Sequence, residues 1–239
     1  MKESLEGIKL FVATPMFGGM CYSGYAIALS DLAVACNHYK VPMRIKVLNN
    51  DAFIHNARNV LAHNFLESGA THMLFIDADV TFTANDALSL LQEDKDVIAG
   101  IYPKKTIEWD RVERAVQHGI AVDQLKHYTA KHTFSVLEGM DEVDISQALE
   151  VATAATGFMM IKRQVFEQLA PKVEKYRHPD YKDPLSMFFN TEIHNGSLYS
   201  EDNYFCRLWR RHGGKVFIAP WVCLAHTGTY TFQGRLTHI

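Results

Sequence analysis

The chain has 239 residues, 48% hydrophobic and 21% charged, the makeup of an ordinary globular protein able to bury a core in one large α/β domain or two small ones. Its net charge of −3 gives no electrostatic case for nucleic acid or an anionic membrane surface, although a metal and a few basic groups can still hold a phosphate locally. Cys21, Cys36, Cys206 and Cys223 form no CxxC pair and read as buried reduced thiols; with no stretch as long as a membrane span, and Lys2, Glu3 and Glu6 ahead of a first apolar run too short for a signal segment, the expected compartment is the cytosol.

Ile8–Ala13 reads as a continuous apolar strand, broken by Thr14-Pro15 and the glycine-rich Met16–Gly24. A helix is expected over Tyr25–His38 and a second strand over Arg44–Leu48. Phe53, Ala57, Val60, Leu61, Asn64 and Phe65 then trace one helical face, closed by Gly69. Met73–Ile76 is a third strand, ending in Asp77-Ala78-Asp79. Thr83 with Asp86 forms a capping-box pattern for a helix to about Glu93, and Val97–Tyr102 is a fourth strand stopped by Pro103. This alternation with short links predicts right-handed crossovers and a mostly parallel sheet.

From Lys104 to Glu150 the pattern is polar and weakly periodic, and assigns no element; such a stretch suits a lid, an acceptor-shaping insert or a plain surface excursion. Regularity returns with a strand over Thr156–Ile161 and a helix over Arg163–Leu169. After an irregular Tyr176–Tyr199 come a helix over Ser200–His212, ended by Gly213-Gly214, and a last strand, Val216–Ala219. With no repeat or linker, a single domain is expected over 1–239.

Four features carry chemistry. In FIDAD, Phe75–Asp79, the two aspartates stand at i and i+2, so a continuing strand projects them together from a carboxyl-terminal strand end, where open α/β sheets bind ligands. Their joint ionisation asks for a nearby cation, and Mg²⁺ or Mn²⁺ suits oxygen ligands; a polar turn capping the next helix is the bland alternative. In Ser200-Glu201-Asp202-Asn203, acids in a first helical turn gain about 0.3–1 kcal/mol each from the free N–H groups, yet a carboxylate held there beside a pocket is also a serviceable general base. His226, in His226-Thr227-Gly228, is either a metal ligand or a hydrogen-bonded core histidine. Arg58, in Asn56-Ala57-Arg58-Asn59, can grip phosphate with two prongs or form a salt bridge on a solvated helix face.

In this order Thr14-Pro15, Asn56–Asn59, FIDAD, AGIYPKK (Ala99–Lys105), TGFMMIKR (Thr156–Arg163), SEDNYFCRLWRRHGG (Ser200–Gly214) and HTGTYTF (His226–Phe232) resemble small GT-A glycosyltransferases, the compact enzymes of large DNA viruses, phages and bacteria. The resemblance runs from about residue 8 to residue 232 and is weakest in the middle insert. It implies a GT-A α/β fold with a smaller antiparallel part, a nucleotide-binding half over about 1–103 and an acceptor half over about 104–239. It also implies transfer of a sugar from a nucleoside diphosphate sugar, with uridine as the default base, to an acceptor hydroxyl of a glycan or glycoconjugate.

Carried over residue by residue, Thr14, Pro15, Asn56 and Arg58 would face the nucleotide, and Asp77 would lie near ribose and metal. Asp79 and His226 would ligate Mn²⁺ or Mg²⁺, with Asp77 as a third member of the metal set. Lys104 or Lys105 would touch the donor, Asp202 would be the base of an inverting enzyme with Glu201 in support, and Gly157 would let acceptor or sugar approach the backbone. Three other readings compete. Asp77–Thr81 also matches the DxDx[TV] nucleophile motif of haloacid-dehalogenase-like phosphohydrolases, although it lies late in the chain and no GDxxxD follows. A nucleotidyltransferase would want basic residues in the loop over 16–24, which has none; a non-catalytic sugar-binding module needs none of the acids.

Overall fold

The computed structural model describes residues 5–140 and 143–236; Lys2 and Glu3 lie outside them. In chain order the first half contains β1 (Leu10–Met16), α1 (Ser23–Tyr39), β2 (Met43–Asn49), α2 (Ile54–Ser68), β3 (His72–Ile76), β4 (Val80–Thr81), α3 (Ala84–Gln92) and β5 (Val97–Gly100). The second half begins with α4 (Trp109–Gln117), β6 (Phe134–Ser135), β7 (Leu149–Val151), β8 (Thr153–Ala154), β9 (Phe158–Lys162) and α5 (Arg163–Leu169). Hairpins β10 (Lys175–Tyr176) with β11 (Leu185–Ser186) and β12 (Glu192–His194) with β13 (Ser197–Tyr199) lead into α6 (Glu201–Arg211), β14 (Val216–Ala219) and β15 (Ala225–His226).

The main sheet has the order β2-β1-β3-β9-β5-β14-β7. β1, β2, β3, β5 and β14 share one direction, while β9 and β7 run against their neighbours. The sheet is therefore mostly parallel but mixed. The apolar run Phe158–Ile161 sits as a central strand between β3 and β5, pairing Phe75 with Met159 and Ile98 with Met160. A strand buried on both faces has no polar alternation to lose, which is why its sequence reads as continuous apolar residues.

Alternation along the strands splits the core in two. Phe11, Met73, Phe75, Met159 and Ile161 face one side, with Leu61 and Phe65 of α2, Phe166 of α5 and Phe205 of α6. Leu10, Val12, Leu74, Ile76 and Met160 face the other, with Leu32 of α1 and Leu88 of α3. α3 starts with the predicted capping box, Thr83 accepting from the Asp86 N–H and Asp86 accepting from the Thr83 N–H. α2 ends at Gly69 in the left-handed region, φ 69°, where glycine has no Cβ penalty.

Three sequence expectations change. β1 runs through Thr14-Pro15 to Met16 because β2 continues to pair it, Pro15 with Leu48, after its pairing with β3 has ended at Ala13–Phe75. Residues 104–150 are not structureless: they hold α4, a 3-10 segment over Val122–Tyr128 and short strands. Only Cys36 and Cys206 are buried, whereas Cys21 and Cys223 are exposed thiols. Among the described residues no helix is long and apolar enough to cross a membrane.

Candidate active site

The carboxyl ends of β1, β2 and β3 open into a cleft of about 620 Å³ lined by Pro15, Met16, Asp51, Ala57, Asp77 and Asp79, among others. The glycine-rich turn after β1 forms its mouth, with Phe17 and Met20 exposed. At Gly24 a Cβ would lie 2.0 Å from the Thr81 hydroxyl oxygen, so glycine is what lets the start of α1 close against β4 beside the cleft.

Of the residues expected to face a nucleotide, Pro15 lines the cleft and Thr14 does not. Thr14 is fully buried, its hydroxyl 2.7 Å from that of Tyr25, because it falls on the inner face of the strand. Asn56 is held at both ends, donating to Asp51 Oδ2 at 2.6 Å and accepting from the Tyr176 hydroxyl at 2.6 Å. It orients Asp51, a cleft residue the sequence reading missed; an acid just after a strand end was the available signal.

Arg58 departs furthest from expectation. It is 3% exposed, neither on a solvated helix face nor in the cleft lining. Its Nη2 donates to Asp77 Oδ1 at 3.1 Å and Oδ2 at 3.4 Å, and its Nε donates to Glu201 Oε1 at 3.2 Å. Its carbon head lies 5.1 Å from the centre of the Phe75 ring. Burial alone would lower the Arg58 pKa, but Asp77 and then Glu201 outweigh it and hold the guanidinium above its ordinary value. One buried cation thus ties the end of β3 to the first turn of α6.

The two aspartates of FIDAD therefore do not point together. β3 stops at Ile76 and the chain turns, the Val80 N–H donating to the Asp77 carbonyl. Asp77 goes to Arg58, while Asp79 goes to Lys105, whose ammonium bonds Oδ2, and to His226, whose Nε2 lies 3.4 Å from Oδ1. The short β4–β15 ladder is responsible: it pairs His226 with Val80, and the Thr227 N–H donates to the Asp79 carbonyl at 2.9 Å. Burial would raise the Asp79 pKa, but His226 and Lys105 overcome it and hold the carboxyl down at about 2. Lys105, not Lys104, reaches this carboxylate; the Lys104 side chain is exposed and lines a second cavity.

A metal fits Asp79 and His226 on their own chemistry. His226 Nδ1 is 2.9 Å from the Pro103 carbonyl oxygen, which can only accept, so Nδ1 carries the proton. With the imidazole neutral, the lone pair of Nε2 faces Asp79 Oδ1, which is buried and has no hydrogen-bond partner among the described residues; with it protonated, the ring supplies the positive charge that holds the Asp79 carboxyl down. Two acceptors facing at 3.4 Å are reconciled by a proton or a cation between them, and a carbonyl-anchored imidazole is the usual arrangement of a metal-ligating histidine. The predicted set of three is not assembled, since among the described residues no three His, Cys, Asp or Glu side chains gather closely enough to hold an ion. Arg58 holds the third, Asp77.

Asp202 sits in the first turn of α6 and accepts from the Ser200 hydroxyl and, at 2.7 Å, from the Asn203 N–H. Ser200 occupies the N-cap position but its side chain makes no capping bond; its hydroxyl donates to Asp202 and its oxygen accepts from the Asn203 side-chain amide at 3.1 Å. At Gly157 an added Cβ would lie 2.3 Å from the Tyr102 hydroxyl oxygen and 2.7 Å from Asp77 Oδ2. The close approach foreseen for a ligand is made by the protein's own groups. Tyr102, unmarked in the sequence reading, accepts from the Gly157 N–H at 3.1 Å and packs its ring edge-on against His226, centroids 4.9 Å apart; burial and then Asp77 push its pKa far up.

No protein-family model and no curated protein matches the sequence. Solved structures do match it in shape. A197 from STIV superposes with a TM-score of 0.52 at 16% identity, covering 97% of this chain and 99% of that one. GalNAc-T7, solved with UDP, GalNAc and Mn²⁺, superposes with a TM-score of 0.50 at 11% identity, covering 92% of this chain and 44% of that one. The chain has a GT-A-like fold.

Proposed function

We propose that the protein is a glycosyltransferase that moves a sugar from a nucleoside diphosphate sugar, with uridine as the base, to an acceptor hydroxyl, and that it uses Mn²⁺ or Mg²⁺. The observation that carries this reading is the meeting of Asp79 and His226 at the mouth of β3, next to a cleft large enough for a nucleotide. Residues 1–103 would form the nucleotide half and the remainder the acceptor half. The exposed thiols Cys21 and Cys223 suit a reducing compartment such as the cytosol.

In this reading Pro15 and Asp51 bound the nucleoside, and Asp79 and His226 hold the ion. When bound, the ion supplies Lewis-acid neutralisation of the departing diphosphate. Arg58 fixes Asp77 towards the ribose and ties it to Glu201 at the start of α6, so that one buried group sets the spacing between donor and base. Asp202, freed from Ser200 by rotation of that hydroxyl, takes the proton from the attacking acceptor, which corresponds to inversion at the anomeric carbon. A phosphohydrolase using Asp77 as nucleophile fits poorly, because Arg58 engages both of its carboxylate oxygens.

A thermal-shift screen of UDP-, GDP- and dTDP-sugars with and without Mn²⁺ tests the reading. A true donor at a hundredfold excess over Kd adds about 2.7 kcal/mol of stability, and Asp79→Ala removes the metal-dependent part. Asp202→Ala keeps the shift and loses transfer. Absence of any metal-dependent shift across the three donors overturns the assignment, and Mn²⁺-dependent hydrolysis of the donor without acceptor separates an enzyme from a binding module.

A further inference from the structure

A second cavity, of about 860 Å³, adjoins the candidate metal site and shares two of its residues, Lys105 and His226. Its lining includes Lys104, Lys105 and Lys126 with His127, and among the described residues it contains no aspartate or glutamate. Acids outnumber Lys and Arg in the chain, 27 to 24, so an acid-free concave surface with three ammonium groups is not what the overall charge leads one to expect. Among the described residues neither Lys104 nor Lys126 forms a salt bridge with a carboxylate. Lys105 is the exception, bound to Asp79.

The same wall carries aromatic surface. Trp221 and Tyr230 line the cavity and are 41% and 52% exposed, and the Trp221 ring is anchored through its N–H to the Ser89 hydroxyl at 3.3 Å. Exposed aromatic faces with a fixed ring suit the C–H faces of a sugar. Like charges gathered in a concavity raise the local concentration of anions, and lysine ammoniums bind phosphate and carboxylate as point charges.

We propose that this cavity binds an anionic saccharide, a sugar bearing phosphate or carboxylate, and that this sugar is the acceptor. The inference rests on the glycosyltransferase reading for the word acceptor, but not for the binding of the anion. Lys104 and Lys126 hold the charged substituent, Trp221 stacks on the ring, and the shared wall at Lys105 and His226 brings the sugar beside the bound diphosphate. An ion that takes Asp79 would release Lys105 to the cavity and add its charge there.

The test is calorimetric titration of the full chain, with and without saturating UDP and Mn²⁺, using glucose 6-phosphate, glucuronate and glucose. Both anions are expected to bind in either condition, and glucose at least about tenfold more weakly, as the loss of charge-assisted hydrogen bonds implies. Lys126→Glu should weaken both anions about tenfold or more while leaving Mn²⁺–UDP binding and donor hydrolysis as they were. Trp221→Ala should weaken all three sugars. Equal binding of glucose, unchanged anion binding in Lys126→Glu, or anion binding abolished by UDP, which would make the lysines part of the donor phosphate site, overturns the proposal. If no nucleotide binds under any metal, the glycosyltransferase reading fails while the anion titration on nucleotide-free protein still decides this one.

Discussion

Arg58 on α2 and Asp77 at the end of β3 meet at 3.1 Å, with the guanidinium 3% exposed and also bound to Glu201 on α6. Two carboxylates and one cation close three elements around the site. Removing one partner of a buried charge group leaves the others without compensation and costs about 3–5 kcal/mol. Arg58→Met is therefore expected to destabilise by that amount in urea denaturation, and the triple change Arg58→Met, Asp77→Asn, Glu201→Gln by clearly less. A single variant as stable as the native chain would show that the network contributes nothing to folding.

Much of the fold was legible because its signals are local. The apolar runs of β3 and β14, the Thr83 capping box and Gly69 each act within a few residues of themselves, and the structure bears them out. What the sequence withheld is non-local. The strand ends at Ile76 as its apolar run indicates, but nothing in Asp77-Ala78-Asp79 says that the chain turns at once instead of continuing extended, and that single turn sends the two carboxylates to different partners. The pairing of His226 with Val80 is set by a two-residue ladder between segments far apart in the chain, which no periodicity encodes. Arg58 looked like a surface residue because burial of an arginine depends on acids that arrive from β3 and α6.

His72 gives a pH dependence of known sign. It is 9% exposed, and burial, then Lys162, lower its pKa from 6.5 to about 4. The unfolded chain thus binds the proton more readily, so stability is full above pH 6.5 and falls as the pH drops towards 4. At 1.36 kcal/mol per unit the loss is on the order of 3 kcal/mol. His72→Gln should remove that component. Urea midpoints of both proteins at pH 7 and pH 4.5 measure it, and parallel losses in the two would refute the assignment to His72.

Gly157→Ala tests the packing under Asp77. Its backbone is not in the left-handed region, so the cost is steric: the new methyl meets the Tyr102 hydroxyl and the Asp77 carboxylate. Overpacking of this kind costs about 1–3 kcal/mol, and because the displaced groups touch Arg58 and His226, metal-dependent stabilisation by a donor should weaken as well. A melting temperature and donor shift unchanged from the native chain would mean that Tyr102 swings aside without consequence.

Lys105 and the proposed metal compete for Asp79. Lys105 is 36% exposed and Asp79 28%, so their ion pair belongs to the weak, solvent-screened class, worth about 0.2–1 kcal/mol. In nucleotide-free protein the ion must displace the ammonium before it can use Oδ2, and the pair's stability is subtracted from its binding. Lys105→Ala removes that competitor, so Mn²⁺ should bind up to about fivefold more tightly, as read by calorimetry or by the Mn²⁺ paramagnetic resonance signal. With a donor present the sign should reverse, since a phosphate-bearing ligand loses a cation from the wall it shares with the second cavity. Asp79→Asn should bind Mn²⁺ poorly whether or not Lys105 is present, which shows that the gain runs through this carboxylate. Weaker Mn²⁺ binding by Lys105→Ala in the absence of nucleotide would mean that the lysine supports the site rather than guarding it.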